Sequence, residues 1–285
     1  MAVKVITDST SYIREEWLQE YGIGLVSLSV TVDGENIREV DIDHETFYHK
    51  MAQAKDIPTS SQPAIGEVYE IVEQAIQAGN DVLAIFLSSK MSGTYETGNL
   101  VKAQMLEKYP HAKIEIMDST TNSMQLGHIV LEAAKAAKAG KTLEECAAIA
   151  DDVRLHSRFL FTPEVLDYLK KGGRIGGASA LLGNLLQIKP ILTVAEGEAN
   201  VFAKVRTKKK AVEAIVQGMY DDIKDNEFGG ATVHHINCAE EGMALAKSLS
   251  EKFNMEIPIQ SIGPIIGVHV GPGAIGVAYW WKSKA

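Results

Sequence analysis

The sequence predicts an α/β protein of two domains: an N-terminal domain on a parallel, Rossmann-like sheet and a C-terminal α+β domain with a largely antiparallel sheet. In the first half, apolar β-branched runs alternate with helix-period segments, which is typical of a parallel sheet covered on both faces. The second half mixes hairpins with helices, which favours an antiparallel layer. The pattern changes near residue 142, and we predict domains at 1–145 and 146–285.

The first half supplies an ordered series of strands and helices. Strands are predicted over Val3–Thr7, Gly24–Val32, Val82–Leu87 and Lys113–Met117. Helices are predicted over Ser11–Tyr21, His44–Ala54, Ile65–Ala78, Tyr95–Tyr109, Asn122–Ala139 and Thr142–Ser157. Asp33-Gly34 predicts a hairpin turn.

The second half continues with shorter elements. Helices are predicted over Pro163–Lys171, Ala178–Gln187, 208–224 and 239–253. Strands are predicted over Pro190–Ala195, Asn200–Val205, Ala231–Ile236 and near 257–262 and 265–281. The last of these contains His269 as one polar ring in an apolar run, where a structural role is an alternative to a site role.

Composition excludes several classes of function. The net charge of −9 argues against a nucleic-acid partner, whose phosphates require a basic face. Cys146 and Cys238 lie far apart without nearby ligand spacing, so neither a disulfide nor a metal site is expected. No apolar run approaches the ~20 residues of a membrane span, and a strand pattern begins at Val3. We expect a cytoplasmic, bacterial-type protein.

Nucleotide and hydrolase motifs fail when their context is tested. Gly271–Gly276 matches a G-x-G-x-x-G pattern, but no βα unit with a ribose-binding acid follows it. Gly140-Lys141-Thr142 resembles the end of a P-loop but lacks its first glycine. G-x-S-x-G is absent. No ATP site is recognisable and no cofactor is expected.

Two hydroxyl-rich segments carry the clearest functional signal. They are 58–63 (Pro-Thr-Ser-Ser-Gln-Pro) and 88–95 (Ser-Ser-Lys-Met-Ser-Gly-Thr-Tyr), the second directly after a buried strand. Ligands of open α/β sheets bind at such strand ends, where helix N-termini offer N–H groups to an anion. The alternative is that Ser61 or Gln62 starts one helix and Ser92 caps the next. For Asp8-Ser9-Thr10 and Asp118-Ser119-Thr120, capping is the favoured interpretation.

A basic, glycine-bracketed loop at 170–177 (Lys-Lys-Gly-Gly-Arg-Ile-Gly-Gly) is the third candidate. A helix C-cap explains Lys170, Lys171 and Gly172, but it leaves Arg174 unexplained. Arginine is suited to bidentate contact with carboxylate or phosphate, so Arg174 is a candidate for contacting phosphate or a partner protein. The segment Ala178–Gln187 is apolar on much of its surface, as expected of a core helix or of one lining an apolar cavity.

Taken together, these segments resemble the DegV family of bacterial fatty-acid-binding proteins. The matching pieces occur in the same order along nearly the whole chain: Thr7–Thr10, Ser60–Pro63, Ser88–Tyr95, Leu169–Ile175, Lys189–Leu192 and His269–Ala274.

The resemblance implies one fatty acid held between two domains. It implies that the carboxyl is bound by hydroxyls, which in this chain are Ser60, Ser61 and Ser92, with His269 nearby. The family often has Thr at the position of Ser60, so a methyl group is lost here. It also implies that a separate ATP-binding kinase subunit makes acyl-phosphate, that this chain is a substrate-presenting subunit without turnover, and that transient membrane contact is compatible with the role.

Two other classes of function stay open on the sequence alone. One is a serine-dependent acyl hydrolase using Ser92 and His269, and the other is a regulatory sensor of another small acid. Acyl chain length, saturation preference and oligomeric state are not determined by these patterns.

Overall fold

A four-stranded parallel sheet forms the centre of the first half. The structure, a computed structural model, describes residues 2–182 and 188–283. In the order β2-β1-β6-β7, the strands of this sheet are β1 (Val3–Asp8), β2 (Gly24–Val26), β6 (Asp81–Phe86) and β7 (Ile114–Asp118). All three pairings are parallel, as the strand–helix alternation predicts.

Helices cover both faces of this sheet. The helices of the first half are α1 (Glu15–Glu20), α2 (His44–Gln53), α3 (Ile65–Gln77), α4 (Thr94–Lys108), α5 (Ser123–Lys138) and α6 (Leu143–Leu155). Residues of α3 and α4 bury one face together with Ile6, Ala84 and Phe86. Residues of α5 and α6 share the opposite core with Val5, Leu83 and Ile85.

The strand predicted over Gly24–Val32 is divided in the structure. After β2 the chain leaves the parallel sheet and enters a small antiparallel sheet of order β4-β3-β5, made of β3 (Ser29–Val32), β4 (Glu35–Arg38) and β5 (Thr59–Ser61). The N–H of Ser27 donates to Glu67 Oε1, and the N–H of Leu28 donates to Ser9 Oγ. Side-chain oxygens therefore take the place of the strand-to-strand hydrogen bonds that would otherwise continue the sheet through Ser27 and Leu28. The hairpin predicted at Asp33-Gly34 joins β3 to β4 and is confirmed.

The second half is built on a six-stranded sheet of order β10-β9-β8-β13-β11-β12. Its strands are β8 (Ser157–Thr162), β9 (Lys189–Ala195), β10 (Glu198–Val205), β11 (Glu227–His235), β12 (Ile259–Ser261) and β13 (Ile275–Lys282). Only the β11–β12 pairing within it is parallel. One face packs on α8 (Lys208–Ile223) and α9 (Ala239–Phe253), and the other joins the core of the first half. The predicted fold class is confirmed.

The strand predicted over 265–281 is wrong in its first part. The chain forms a helix, α10 (Pro264–Val270), before β13 begins. Pro264 occupies the start of this helix, where its fixed φ suits a first turn, and the N–H of Ile265 donates to the Glu39 carboxylate. Gly271, at φ 83°, then ends the helix. Burial and these terminal contacts therefore override the β propensity of the Ile and Val residues.

Other elements differ from prediction mainly at their ends. The helix predicted from Ser11 begins only at Glu15, after a 3-10 turn over Ser9–Ser11, and the helix predicted from Pro163 contracts to α7 (Asp167–Lys171). Sequence reasoning missed β8. Of Ala178–Gln187, residues up to Leu181 belong to a 3-10 segment, and 183–187 lie outside the described residues.

The boundary at residue 145 stays a prediction, and it falls within α6. That helix packs on α5, on β6 and β7 of the parallel sheet, and on β13 of the second sheet. Among the described residues, no helix is long and apolar enough to cross a membrane.

Candidate ligand-binding site

A cavity of about 330 Å³ lies where residues of both halves meet. Its walls are largely apolar and include Leu28, Leu87, Phe159, Phe161, Val194 and Ile265. The five side chains singled out from the sequence also line it: Ser60, Ser61, Ser92, Arg174 and His269. The structure therefore brings together residues separated by more than two hundred positions, although their binding role stays a prediction.

Pairing of short strands positions the first hydroxyl segment. Ser60 of β5 lies opposite Val30 of β3, and Ser61 lies opposite Ser29. Ser60 is half-buried, whereas Ser61 is exposed and its Oγ lies 3.4 Å from Ser29 O. Ser61 therefore occupies the rim of the cavity, and Ser60 lies deeper.

The end of β6 positions the second hydroxyl segment, as predicted. The Ser88 N–H donates to Thr121 O, and Ser88 Oγ donates to Gly197 O of the β9–β10 turn at 2.6 Å. Gly93, and not Ser92, is the residue before α4, and it makes no side-chain cap. Ser92 Oγ instead lies 2.9 Å from Thr94 Oγ1. The alternative interpretation of Ser92 as the cap of this helix is therefore wrong, and Ser92 lines the cavity just before α4.

The carboxylates of Asp8 and Asp118 accept hydrogen bonds from backbone N–H groups, as the capping interpretation predicts. Asp8 accepts from the N–H groups of Thr10 and Leu87. Asp118 accepts from the N–H groups of Thr120 and Ser89. Both carboxylates thereby fix strand-end loops, including the one that leads to Ser92.

His269 of α10 forms the centre of the polar end. Its Nε2 lies 2.7 Å from Ser60 Oγ, and its buried Nδ1 has no hydrogen-bond partner among the described residues. We assign the proton to Nε2, which then donates to Ser60 Oγ and leaves the serine O–H able to donate to a ligand. Burial, and secondarily the Arg174 charge, lower the pKa of His269 to about 4, so the ring is neutral at pH 7.

Arg174 links the loop before α4, which contains Met91, to the loop after α7, which contains Gly172. Its Nε donates to Met91 O at 3.1 Å, and its Nη1 donates to Gly172 O at 2.6 Å. The N–H of Arg174 also donates to Leu169 O, which closes the end of α7 as a C-cap should. A guanidinium carries five N–H donors, so Arg174 retains capacity to bind an anion.

A wider groove adjoins the polar end of the cavity. Its volume is about 670 Å³, and it shares Ser60, Arg174 and His269 with the cavity. Lys55 and Lys171 add positive charge to its walls, with Asp56 as an acidic neighbour. The three shared residues therefore stand between an apolar cavity and a polar groove.

Sequence reasoning missed the aromatic wall of the cavity and the helix that carries His269. The signal for the wall was available, because Phe159-Leu160-Phe161 alternates across a sheet and precedes a proline at 163. In residues 2–182 and 188–283, no group of three or more His, Cys, Asp or Glu is arranged to hold a metal ion.

Comparison with known proteins extends over the whole chain. Residues 2–282 match the family model described as an uncharacterised protein of the DegV family. A DegV domain-containing protein of Clostridium acetobutylicum is 52% identical over 284 residues, covering 100% of this chain and 99% of the relative.

Solved structures with the same fold are described as fatty-acid-binding proteins. A DegV family protein of Thermus thermophilus, described by its fatty acid binding, has a TM-score of 0.91 at 28% identity, covering 99% of this chain and 100% of its own. A stearic-acid-binding protein of Eubacterium ventriosum has a TM-score of 0.89 at 27% identity, covering 98% of each chain. On the family match and the Clostridium relative, this chain belongs to the DegV family.

Proposed function

We propose that this protein binds one long-chain fatty acid in the cavity and presents its carboxyl to a separate ATP-dependent kinase subunit, which converts it to acyl-phosphate. The observation that carries the proposal is the polarity of the cavity: an apolar interior ends at Ser60, Ser92 and His269. An amphipathic acid needs this arrangement, with a dry site for the tail and donors for the head. The relatives described as binding fatty acids support the same ligand class.

The energetics favour enclosure of the tail. Each buried methylene contributes ~0.8 kcal/mol, so about fifteen contribute roughly 12 kcal/mol before the costs of association. The cavity volume of 330 Å³ is more than twice the ~150 Å³ that accommodates benzene in an engineered apolar cavity. Apolar burial therefore supplies the affinity, and the polar end selects the orientation.

The polar end suits a carboxylate that must stay reactive. Ser60 and Ser92 supply neutral hydroxyl donors for the carboxylate, and the positive charge of Arg174, which also borders the adjoining groove, is available to the phosphate or to the partner. Hydrogen bonds from neutral donors leave a carboxylate oxygen more nucleophilic than a direct ammonium pair would. Phosphoryl transfer depends chiefly on positioning and charge stabilisation.

The adjoining groove gives a partner access to the head group. Lys55, Lys171 and Arg174 form a positive surface suited to a phosphate or to an acidic partner segment. The sequence carries no recognisable ATP site, which agrees with a phosphoryl donor supplied by another chain. A binding subunit and a separate kinase therefore divide the reaction between them.

Native mass spectrometry of the purified chain tests the ligand. We expect one fatty acid per chain, lost on delipidation and regained on incubation with long-chain acids. Ser60→Ala should weaken retention by about 5- to 150-fold, the equivalent of the ~1–3 kcal/mol lost with one buried hydrogen bond. Ser89→Ala is the matched control, since Ser89 belongs to the second hydroxyl segment but does not line the cavity.

A chain that stays free of ligand after incubation would overturn the proposal. Equal retention by Ser60→Ala and wild type would remove Ser60 from the site while leaving the cargo established. A subsequent assay with ATP and the kinase subunit should yield acyl-phosphate, and its absence would reduce the role to binding alone.

The hydrolase hypothesis pairs Ser92 with His269, but His269 bonds Ser60 and the Ser92 hydroxyl lies beside Thr94 Oγ1, so Ser60 is the serine to test. A serine hydrogen-bonded to histidine is one part of a catalytic triad. However, no carboxylate of the described residues bonds His269 Nδ1, and a pKa of about 4 makes the ring a weak general base. We expect no ester turnover by the purified chain, and turnover abolished by Ser60→Ala would favour the hydrolase.

A further inference from the structure

Two stacked aromatic rings line the apolar part of the cavity. Phe159 and Phe161 project from the same face of β8, with ring centroids 5.1 Å apart and an interplanar angle of 29°. Both are buried, at 3% and 5% exposure, and both line the cavity. Ser60, Arg174 and His269 border the groove and neither ring does, so the rings line a part of the cavity away from its polar end.

A small void lies directly behind the two rings. It measures about 10 Å³, roughly the space needed for a single water molecule, and both rings form part of its wall. None of Ser60, Arg174 and His269 borders it. Phe159, Phe161 and Val270 border both spaces and therefore separate the cavity from this void.

The neighbouring strand β13 has small residues at the two positions opposite the rings. In the β8–β13 pairing, Gly276 lies opposite Phe161 and Ala278 lies opposite Phe159. A Cβ at position 276 would lie only 2.6 Å from Phe161 Cβ, so the ring position depends on glycine there. Gly276 also borders the void, which leaves the space behind Phe161 incompletely packed.

The two rings differ in how firmly they are held. His234 packs edge-on against Phe159 at 5.6 Å between centroids, and its Nε2 accepts from the Met124 N–H. Phe159 therefore has a fixed support. Phe161 has the Gly276 side of the void behind it and is the ring whose removal opens space.

We propose that Phe161, supported by Phe159, sets the maximum length of the acyl tail. This inference rests on the proposed function. A tail that reaches Phe161 is stopped by its ring, whereas loss of the ring joins the void to the cavity and admits a longer chain. The expected ligands are therefore fatty acids whose terminal methyl group reaches no farther than Phe161.

Competition binding tests the assignment. Delipidated wild type, Phe161→Leu and Phe161→Ala are each incubated with an equimolar mixture of even-numbered saturated acids from laurate to arachidate. Native mass spectrometry then gives the distribution of bound lengths. We expect the longest acid retained to increase by about two carbons in the Leu variant and about four in the Ala variant, because freed core volume is only partly recovered by a ligand.

Phe47→Leu is the matched control, since Phe47 is fully buried in the same core cluster but does not line the cavity. It should leave the distribution unchanged. Phe161→Leu keeps the test valid where Phe161→Ala fails to fold. Binding by all chains with one shared length distribution would overturn the Phe161 assignment alone, whereas absence of binding by wild type would overturn the proposed function and this inference together.

Discussion

Replacing the buried carboxyl of Glu39 by an amide should change how stability depends on pH. Glu39 is 4% exposed and joins both halves of the protein. Its Oε2 accepts from Ser9 Oγ at 2.6 Å, and its Oε1 accepts from Tyr12 Oη and from the Ile265 N–H. Burial raises its pKa from 4.5 to about 7, with nearby Asp8 adding to the increase, although the three hydrogen bonds lower it.

The difference between the folded-state and unfolded-state pKa of Glu39 fixes the sign and size of the change in the free energy of unfolding. Because the folded-state pKa of this acid is raised, its contribution to stability is present in full below pH 4.5 and is lost as the pH rises towards 7. At about 1.4 kcal/mol per pH unit, the interval from 4.5 to about 7 gives about 3 kcal/mol. Glu39→Gln keeps an acceptor for Tyr12 and Ile265 but does not ionise. The variant should therefore gain about 3 kcal/mol relative to wild type between pH 4.5 and 7.5.

Urea unfolding of delipidated protein, followed by tryptophan fluorescence at several pH values, measures this difference. Burial raises the pKa of Asp8 to about 6, so the difference between variant and wild type reports Glu39 together with its repulsion by Asp8. Glu73→Gln is the control of opposite sign, because the hydrogen bond from Lys108 lowers the pKa of Glu73. A Glu39→Gln difference that is constant with pH would show that Glu39 has no raised pKa in the folded protein.

Two further predictions concern Arg174 and His234. Arg174→Ala should spare lipid retention but reduce kinase-coupled phosphorylation by ~10-fold or more, the equivalent of one charge-assisted hydrogen bond. Kinase assays beside the neighbouring Lys170→Ala check this, and unchanged rates in the Arg174 variant would remove it from the mechanism. Burial lowers the pKa of His234 to about 3, so wild type should lose ~2 kcal/mol from this group between pH 6.5 and 5, because the unfolded chain takes up the proton. His234→Gln should flatten that part of the urea-unfolding profile, and an unaltered slope would contradict the assignment.

The parallel sheet could be predicted from the sequence because the patterns that indicate its strands involve only neighbouring residues. Val82–Leu87 is a short apolar run bounded by polar residues, and a fully buried parallel strand requires no more than that. The hydroxyl segment after it follows from the same logic, since ligands gather at strand ends. The family resemblance added what periodicity could not: that distant segments belong to one site.

Local signals failed where a long-range contact decides the conformation. Ile265–Val270 has strand-forming residues, yet it is helical because Glu39, more than two hundred residues earlier, accepts the Ile265 N–H. The strand predicted through Ser27 and Leu28 ends because Glu67 and Ser9 take the N–H bonds that a ladder would use. Neither partner can be identified from a local window.

The sequence alone therefore determined the fold class, the absence of recognisable nucleotide motifs and the hydroxyl segments that line the cavity. Only the tertiary structure decided that Ser60 bonds His269, that Arg174 connects two loops, and that Phe159 and Phe161 line the cavity. The physical reason is the distance along the sequence between the residues that interact. Strand and helix periodicity depend on residues a few positions apart, whereas a cavity is defined by side chains that meet only when the two halves pack.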